Sequence, residues 1–364
     1  MRILLSGGGT AGHINPALAI ADYAKEICKD TRVLFVGTKK GLESSLVPKA
    51  GYDIEYVNVE GLKKEISLSS MISAGKMAAA VAKSLVIMKK FKPDIVVGTG
   101  GYVCVSSVIA AKILGIRSVV HEQNVFPGSA VKFLADKCDV TAISFEESKK
   151  YFSENTDVRL TGNPIRPEVM KHTREEASRE LGIGNRKMIL CFGGSLGAQR
   201  INDVMTDFIA DNPLGDTVIY FATGKRDYER ICGKFKEMGI KTGDRIRLTP
   251  YIDNMDMVMN AADVVICRSG AITLAEICAL GKPSVLIPSP NVTNDHQLFN
   301  AKALSDRGAA ITIEEKDFDK SALKKALLSL TEDDAYAREV SLRAKKMGIT
   351  DACRKIYDIM EELQ

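Results

Sequence analysis

The chain has no tryptophan, only four histidines, and no CxxC spacing among its eight cysteines. Without tryptophan it lacks an obvious platform for stacking bases. A net charge of +4 over 364 residues is too mild to demand a polyanion, so no nucleic-acid partner is expected. The cysteines at 28, 104, 138, 191, 232, 267, 278 and 353 are scattered, which excludes a zinc knuckle and a disulfide framework and predicts reduced, buried thiols. Cys191 and Cys267 fall inside apolar runs and are expected to be small core residues. No run of about 18 uncharged apolar residues occurs, which argues against a membrane-spanning helix. The start, MRILLSGGGT, is an apolar strand running into glycines, without the basic flank, longer apolar run and cleavage site of a signal peptide, so a cytoplasmic protein is expected.

What the chain does have is alternation. Arg2–Ser6, Arg32–Val36, Asp94–Val97 and Ser118–Val120 have strand character, and helical stretches begin near Pro16, Leu42, Ser70 and Val103. A second series follows at Lys187–Phe192, Thr217–Phe221, Arg245–Leu248, Asp263–Cys267, Ser284–Ile287 and Ala310–Ile313, again with helical segments between. Strand–helix alternation predicts parallel sheets covered on both faces. Each series opens with an apolar strand entering a glycine loop, Gly7-Gly8-Gly9 in the first and Gly193-Gly194-Ser195 in the second. Each has a later apolar strand ending in small residues, Gly98-Thr99-Gly100-Gly101 and Arg268-Ser269-Gly270. The expected fold class is α/β, with two tandem Rossmann-like domains whose parallel sheets face an interdomain cleft. The expected division is 1–163, 164–340 and a terminal helical segment, 341–364, packing back on the first domain. The break falls in Thr161-Gly162-Asn163-Pro164-Ile165-Arg166-Pro167, where prolines and a glycine interrupt regular structure.

Gly7-Gly8-Gly9-Thr10-Ala11-Gly12 satisfies G-x-G-x-x-G between a strand and a helix. A dinucleotide site also wants an acid ending the second strand, where this chain has Val36-Gly37-Thr38-Lys39-Lys40, so only an NADP-type reading stays open. The broader use of such loops is to let backbone approach an anion at a helix start. Gly193 to Ala198 repeats the design and adds the Ser195 hydroxyl; the plainer alternative is a pair of tight turns. Arg268 ends an apolar strand, so its charge needs an anion or a carboxylate. Glu276, in the following helix, can accept both hydroxyls of a ribose, or can be an acid placed to suit the helix dipole. Asn294-Asp295-His296-Gln297 can hydrogen-bond sugar hydroxyls, and Asn294 or Asp295 can N-cap a helix. The one Asp-x-Asp, Asp317-Phe318-Asp319, precedes a helix that Asp319 is expected to cap, and no metal site is assigned.

These motifs stand in one order along nearly the whole chain: Gly8–His13 with Pro16, Gly98–Tyr102, His121-Glu122-Gln123-Asn124, Gly162–Arg166, Gly193–Ala198, Arg268–Ala271 with Glu276, and Asp295-His296-Gln297 with Asn300-Ala301. In this the sequence resembles the MurG family of glycosyltransferase family 28. That resemblance implies a GT-B fold and inverting transfer of N-acetylglucosamine from UDP-GlcNAc. The acceptor it implies is the muramoyl 4-hydroxyl of undecaprenyl-diphosphoryl-MurNAc-pentapeptide, lipid I in the cytoplasmic leaflet, in peptidoglycan synthesis. It implies no cofactor and no required metal. It places the donor on Arg166, Ser195, Ile252 through its backbone, Ala271, Ile272, Thr273, Leu274, Ala275, Glu276 and Gln297, with Thr10, Ala11, Gly12 and Asn124 from the first domain. Leu196 departs from the glutamine common in the family. A glycosyltransferase of the same fold acting on another lipid acceptor is the alternative.

Such a transfer needs a base for the acceptor hydroxyl and stabilisation of departing UDP. His13, at the first glycine loop, and Glu122 are the two candidate bases, and either can instead be structural. His121 ends a strand and can order the Gln123-Asn124 loop. Leu68–Phe91 is apolar and carries Lys76, Lys83, Lys89 and Lys90, with Lys63 and Lys64 before it. This suits either an anionic membrane surface, reached peripherally from the cytoplasmic side, or a helix packed on a sheet with a solvated lysine face.

Overall fold

The computed structural model describes residues 1–59, 68–194, 197–211 and 214–364, with side chains from Ser73 onward in the helix Leu68–Phe91. It divides into two units, Met1–Ile165 with Ile349–Gln364, and Arg166–Gly348.

The first unit holds a sheet of seven parallel strands: β1 (Arg2–Gly7), β2 (Arg32–Gly37), β3 (Asp53–Tyr56), β4 (Ile95–Gly100), β5 (Arg117–Glu122), β6 (Val140–Ile143) and β7 (Val158–Leu160), in the order β3-β2-β1-β4-β5-β6-β7. The second holds six: β8 (Met188–Phe192), β9 (Val218–Ala222), β10 (Ile246–Thr249), β11 (Val264–Cys267), β12 (Ser284–Leu286) and β13 (Ile311–Thr312), in the order β10-β9-β8-β11-β12-β13. Both are doubly wound. The strand order reverses between β1 and β4 in one sheet and between β8 and β11 in the other, and ligands of such sheets bind beyond the strand carboxyl ends at that reversal.

The central strands are continuous apolar runs because both faces are covered. Ile3, Leu4, Leu5, Ile95, Val96 and Val97 are fully buried, as are Ile189, Leu190, Cys191, Val264, Val265, Ile266 and Cys267. Each buried Val, Leu or Ile among them stabilises its unit by roughly 1.5–3 kcal/mol relative to exposure. In the first unit one sheet face packs Ile14 and Ile20 of the helix Ala11–Ile27 together with Ile356, Tyr357 and Met360 of the terminal helix Ala352–Glu362. The second unit's core joins Ile189, Phe208, Phe221, Ile266, Phe318 and Leu327.

The structure departs from the sequence reading in several places. Strands β3, β6 and β7 have no counterpart among the predicted ones; they are short, and β3 and β7 are sheet edges with mixed burial. The terminal helical stretch is two helices, Asp334–Met347 and Ala352–Glu362, parted at Gly348. A Cβ at Gly348 would lie 2.7 Å from the Cys278 carbonyl oxygen, so the chain turns there only as glycine. The segment joining the first unit accordingly begins at Ile349, not 341. Gly162, at φ +84°, faces it: a Cβ there would meet Ile349 Cβ at 2.7 Å.

Candidate active site

In the second unit the carboxyl ends of β8 and β11 open a cavity of about 760 Å³, lined by Gly193, Gly194, Gly197, Arg200, Thr273 and Gln297 among others. The glycines are required by geometry. Gly194 and Gly197 stand at φ +92° and +82°, and a Cβ on Gly197 would sit 2.2 Å from the Thr223 carbonyl oxygen. The Gly197 N–H donates to the Gly194 carbonyl at 2.9 Å, closing the turn that leads into the helix Gln199–Ala210. Neither that helix nor the helix Ala271–Leu280 carries an acid in its first turn, so no first-turn carboxylate opposes the positive end of either helix dipole. Ser195 and Leu196 lie outside the described residues.

The charge on Arg268 is met inside the protein. Its guanidinium donates to the carbonyls of Ile287 at 3.1 Å and Pro288 at 3.2 Å and pairs with the Glu315 carboxylate. Gln297 accepts the Ser289 N–H on Oε1 at 2.9 Å, which orients its amide. Asp295 stands at the N-cap of the helix His296–Ser305 but makes no side-chain cap bond. Asn294 and Asp295 both hold left-handed backbone, φ +55° and +49°, and are exposed. Two adjacent non-glycine residues there are strained, a feature concentrated at functional loops.

Glu276 is the sharpest feature. Its side chain is buried on the helix Ala271–Leu280, and no described residue donates a hydrogen bond to it. Burial pushes its carboxyl up to about 7, against the opposing pull of Arg166. The exposed Arg166 is thus electrically coupled to Glu276. A buried carboxylate without a donor is costly unless a ligand supplies one. Ile252 shows the complementary pattern. Its side chain is buried in the loop after β10, while its backbone N–H and C=O find no partner among the described residues. Thr273 and Gln297 line the cavity itself; Ala271, Ile272, Leu274 and Ala275 share Thr273's helix, and Ile252 and Glu276 lie outside the lining.

In the first unit the loops after β1 and β4 interlock. The Gly8 N–H donates to the Gly100 carbonyl at 3.3 Å, and a Cβ on Gly101 would strike the Gly8 oxygen at 2.5 Å. Gly100, at φ +112°, leaves room for the His13 ring, whose Cδ2 would be 2.7 Å from a Cβ there. His13 Nδ1 lies 2.9 Å from the Gly8 carbonyl, and the Thr99 hydroxyl donates to the His13 carbonyl at 2.7 Å. A carbonyl only accepts, so in the neutral ring Nδ1 carries the hydrogen and Nε2 is the basic nitrogen. Thr10, Ala11 and Gly12 form the exposed start of the same helix.

The sequence reading missed Glu43. Its buried carboxylate accepts the N–H of Gly9 at 3.0 Å and both the N–H and the hydroxyl of Thr38 at 2.9 and 2.7 Å. Burial pushes its carboxyl up, but the bonds from Thr38 and Gly9 outweigh burial and the net direction is down. Cβ atoms on Gly8, Gly37 or Gly41 would collide with this side chain at 2.1–2.6 Å, so three glycines make room for one carboxylate. An internal anion therefore already occupies part of the first loop's amide cluster. Only Gly37 and Gly41, flanking Thr38, hinted at it in the sequence.

Glu122 is built into a turn. It is buried, and its oxygens accept the Asn124 N–H at 2.9 Å, the Asn124 amide at 3.1 Å and the Gly128 N–H at 2.8 Å. Burial raises its carboxyl above the usual range despite these bonds. Three of its roughly four lone-pair sites are thus engaged within the turn. His121 is fully buried between the Gln123 amide and the Gly162 carbonyl, each at 2.9 Å, and burial lowers its imidazole to about 4. It orders the loop as a neutral ring.

In the helix Leu68–Phe91, Ala80, Ser84, Ile87 and Met88 are buried, while Lys83, Val86, Lys89 and Lys90 are exposed. Packing and a lysine-bearing outer face thus coexist; Lys63 and Lys64 lie outside the described residues. Among the described residues no helix is long and apolar enough to cross a membrane, and no three metal-ligating side chains cluster. Asp319 caps the helix Lys320–Thr331 by accepting the Ala322 N–H at 2.7 Å.

Doubly wound sheets, glycine turns at a strand reversal and a buried carboxylate to which no described residue donates are the features of a nucleotide-binding α/β protein. Comparison with known proteins narrows the class. Residues 3–143 match the glycosyltransferase family 28 N-terminal domain, and residues 188–356 match the family 28 C-terminal domain. A protein of Acetivibrio thermocellus, named UDP-N-acetylglucosamine–N-acetylmuramyl-(pentapeptide) pyrophosphoryl-undecaprenol N-acetylglucosamine transferase, is 43% identical over 366 residues, covering 100% of this chain and 98% of its own. A relative of the same name from Thermoanaerobacter sp. is 42% identical, with 100% of both chains covered. The crystal structure of Acinetobacter baumannii MurG superposes with a TM-score of 0.80 at 25% identity, covering 99% of each chain. The chain belongs to glycosyltransferase family 28.

Proposed function

We propose that this protein moves N-acetylglucosamine from UDP-GlcNAc to the 4-hydroxyl of the muramoyl residue of undecaprenyl-diphosphoryl-MurNAc-pentapeptide, with inversion, converting lipid I to lipid II. Full-length relatives above 40% identity carry the name of this transfer. The observation that carries the donor assignment is Glu276: a buried carboxylate with no hydrogen-bond donor among the described residues suits the paired hydroxyls of a ribose. The unpartnered backbone of Ile252 suits the edge of a uracil. In this reading Arg166, Ser195, Ala271–Glu276 and Gln297 complete the donor site, with Thr10, Ala11, Gly12 and Asn124 contributing from the first unit.

The chemistry follows from the groups present. The acceptor hydroxyl gives its proton to Nε2 of His13, held in the basic tautomer by Gly8. Its oxygen forms the new bond to the sugar's anomeric carbon as the bond to the diphosphate breaks, and UDP leaves with the electron pair. The two helix starts, neither with an acid in its first turn, stabilise the charge on the leaving group without a required metal. The enzyme works as a peripheral protein on the anionic cytoplasmic face of the membrane; the exposed Lys83, Val86, Lys89 and Lys90 support this.

The test is transfer of label from a panel of UDP-sugars to a panel of acceptors. Disaccharide formed from UDP-GlcNAc and a lipid I analogue, with the β-linkage that inversion of the α-linked donor produces, is the expected result. GlcNAc transfer to a different lipid alone would replace the acceptor assignment, and no GlcNAc transfer would sink the proposal.

A further inference from the structure

We infer that Arg200 is the side chain that neutralises the donor's diphosphate. This rests on the donor reading above. Four charged side chains line the cavity at the second glycine loop: Arg200, Asp203, Arg268 and Glu315. Three are answered within the protein. Arg268 and Glu315 pair with each other, and Asp203 is held by Arg230 and Lys234, each at 2.6 Å. Arg200 is exposed and has no ion-pair partner among the described residues, although Asp203 lies one turn further along the same helix. The cavity's own charges thus cancel except for one guanidinium.

Its position is also of the wrong sign for helix stability. Arg200 is the second residue of the helix Gln199–Ala210, where the macrodipole disfavours a cation and favours an acid. A lone cation held against that preference, beside glycine turns that admit backbone to an anion, fits a multiply charged ligand. Arg268 is the obvious candidate in the sequence, but its guanidinium is already engaged by Glu315 and two carbonyls. Arg200 has its fork of donors available for bidentate contact with phosphate oxygens.

Calorimetric titration of the intact protein with uridine and with UDP tests this in wild type, Arg200→Gln and Arg200→Lys. In Arg200→Gln, UDP affinity is expected to fall about 10- to 100-fold while uridine affinity stays within about twofold. Arg200→Lys keeps the charge without the fork and is expected to fall between. The slope of UDP affinity against salt should be shallower in the Gln variant. An unchanged ratio of UDP to uridine affinity in a Gln variant with unaltered melting temperature overturns the inference. A wild type that does not prefer UDP to uridine overturns the donor reading, and the inference with it.

Discussion

Replacing Glu276 with Gln should make the ligand-free protein more stable and the donor complex weaker. The carboxyl rises from an ordinary 4.5 to about 7 on burial. At 1.36 kcal/mol per tenfold, that interval corresponds to a ceiling of about 3 kcal/mol. The direction follows from proton uptake: between pH 4.5 and 7 the folded protein holds a proton that the unfolded chain has released, so wild-type stability falls as pH rises through this window and levels off above it. Glutamine keeps the shape and cannot ionise. The variant's second unit should therefore melt close to wild type at pH 4.5 and higher at pH 8, by roughly 2–4 °C per kcal/mol for a unit of this size. Because the buried amide still lacks partners, a gain of about 1–2 kcal/mol is expected. Affinity for UDP-GlcNAc should fall about 10- to 100-fold, since hydrogen bonds to a charged acceptor contribute about 1.5–3 kcal/mol. Differential scanning calorimetry at pH 4.5, 6 and 8, with titration of the donor at pH 8, measures both. Equal melting at pH 8 together with unchanged donor affinity would refute the reasoning, because Glu276 would then be neither strained by burial nor used by the ribose.

Other consequences can be checked on the same protein. Wild-type donor affinity should weaken below pH 7, approaching tenfold per pH unit, as protonation removes the Glu276 charge and turns one of its oxygens into a donor; titrations from pH 5.5 to 8.5 read this. His13→Ala should lower kcat by roughly 10²- to 10⁴-fold with UDP affinity retained, and full transfer by this variant would remove His13 as the base. Glu122→Gln weakens the turn held by Asn124 and Gly128 and should cost about 1–3 kcal/mol, while leaving most of kcat in assays below the melting transition; a kcat loss as deep as that of His13→Ala would restore Glu122 as the base. Gly197→Ala drives a Cβ to 2.2 Å from the Thr223 carbonyl at φ +82° and should abolish the melting shift induced by UDP. Gly194→Ala meets nothing within 4 Å and should cost only about 1–3 kcal/mol of backbone strain.

By itself the sequence determined what local chemistry can determine. Alternation of apolar runs and helical periods dictated two parallel sheets, because a strand covered on both faces must be apolar throughout, as Ile3–Leu5 and Val264–Cys267 are. The glycine loops were legible because only glycine adopts φ values such as those of Gly194 and Gly197 without strain. Glu276 and His13 stood out because an acid inside an apolar helix and a histidine at a glycine turn are chemically conspicuous.

Tertiary structure alone decided which of these groups are already satisfied. Arg268 finds Glu315 across 47 positions, Gly9 finds Glu43 across 34, and Glu122 closes on Gly128. The same fold leaves Glu276 and Arg200 without hydrogen-bonding partners among the described residues. Local pattern cannot reveal this, because hydrogen bonds and ion pairs depend on atoms brought within about 3 Å by the packing of distant segments. Short edge strands such as β3 and β7 escaped notice for a related reason: their pairing comes from a neighbouring strand rather than from a periodicity of their own.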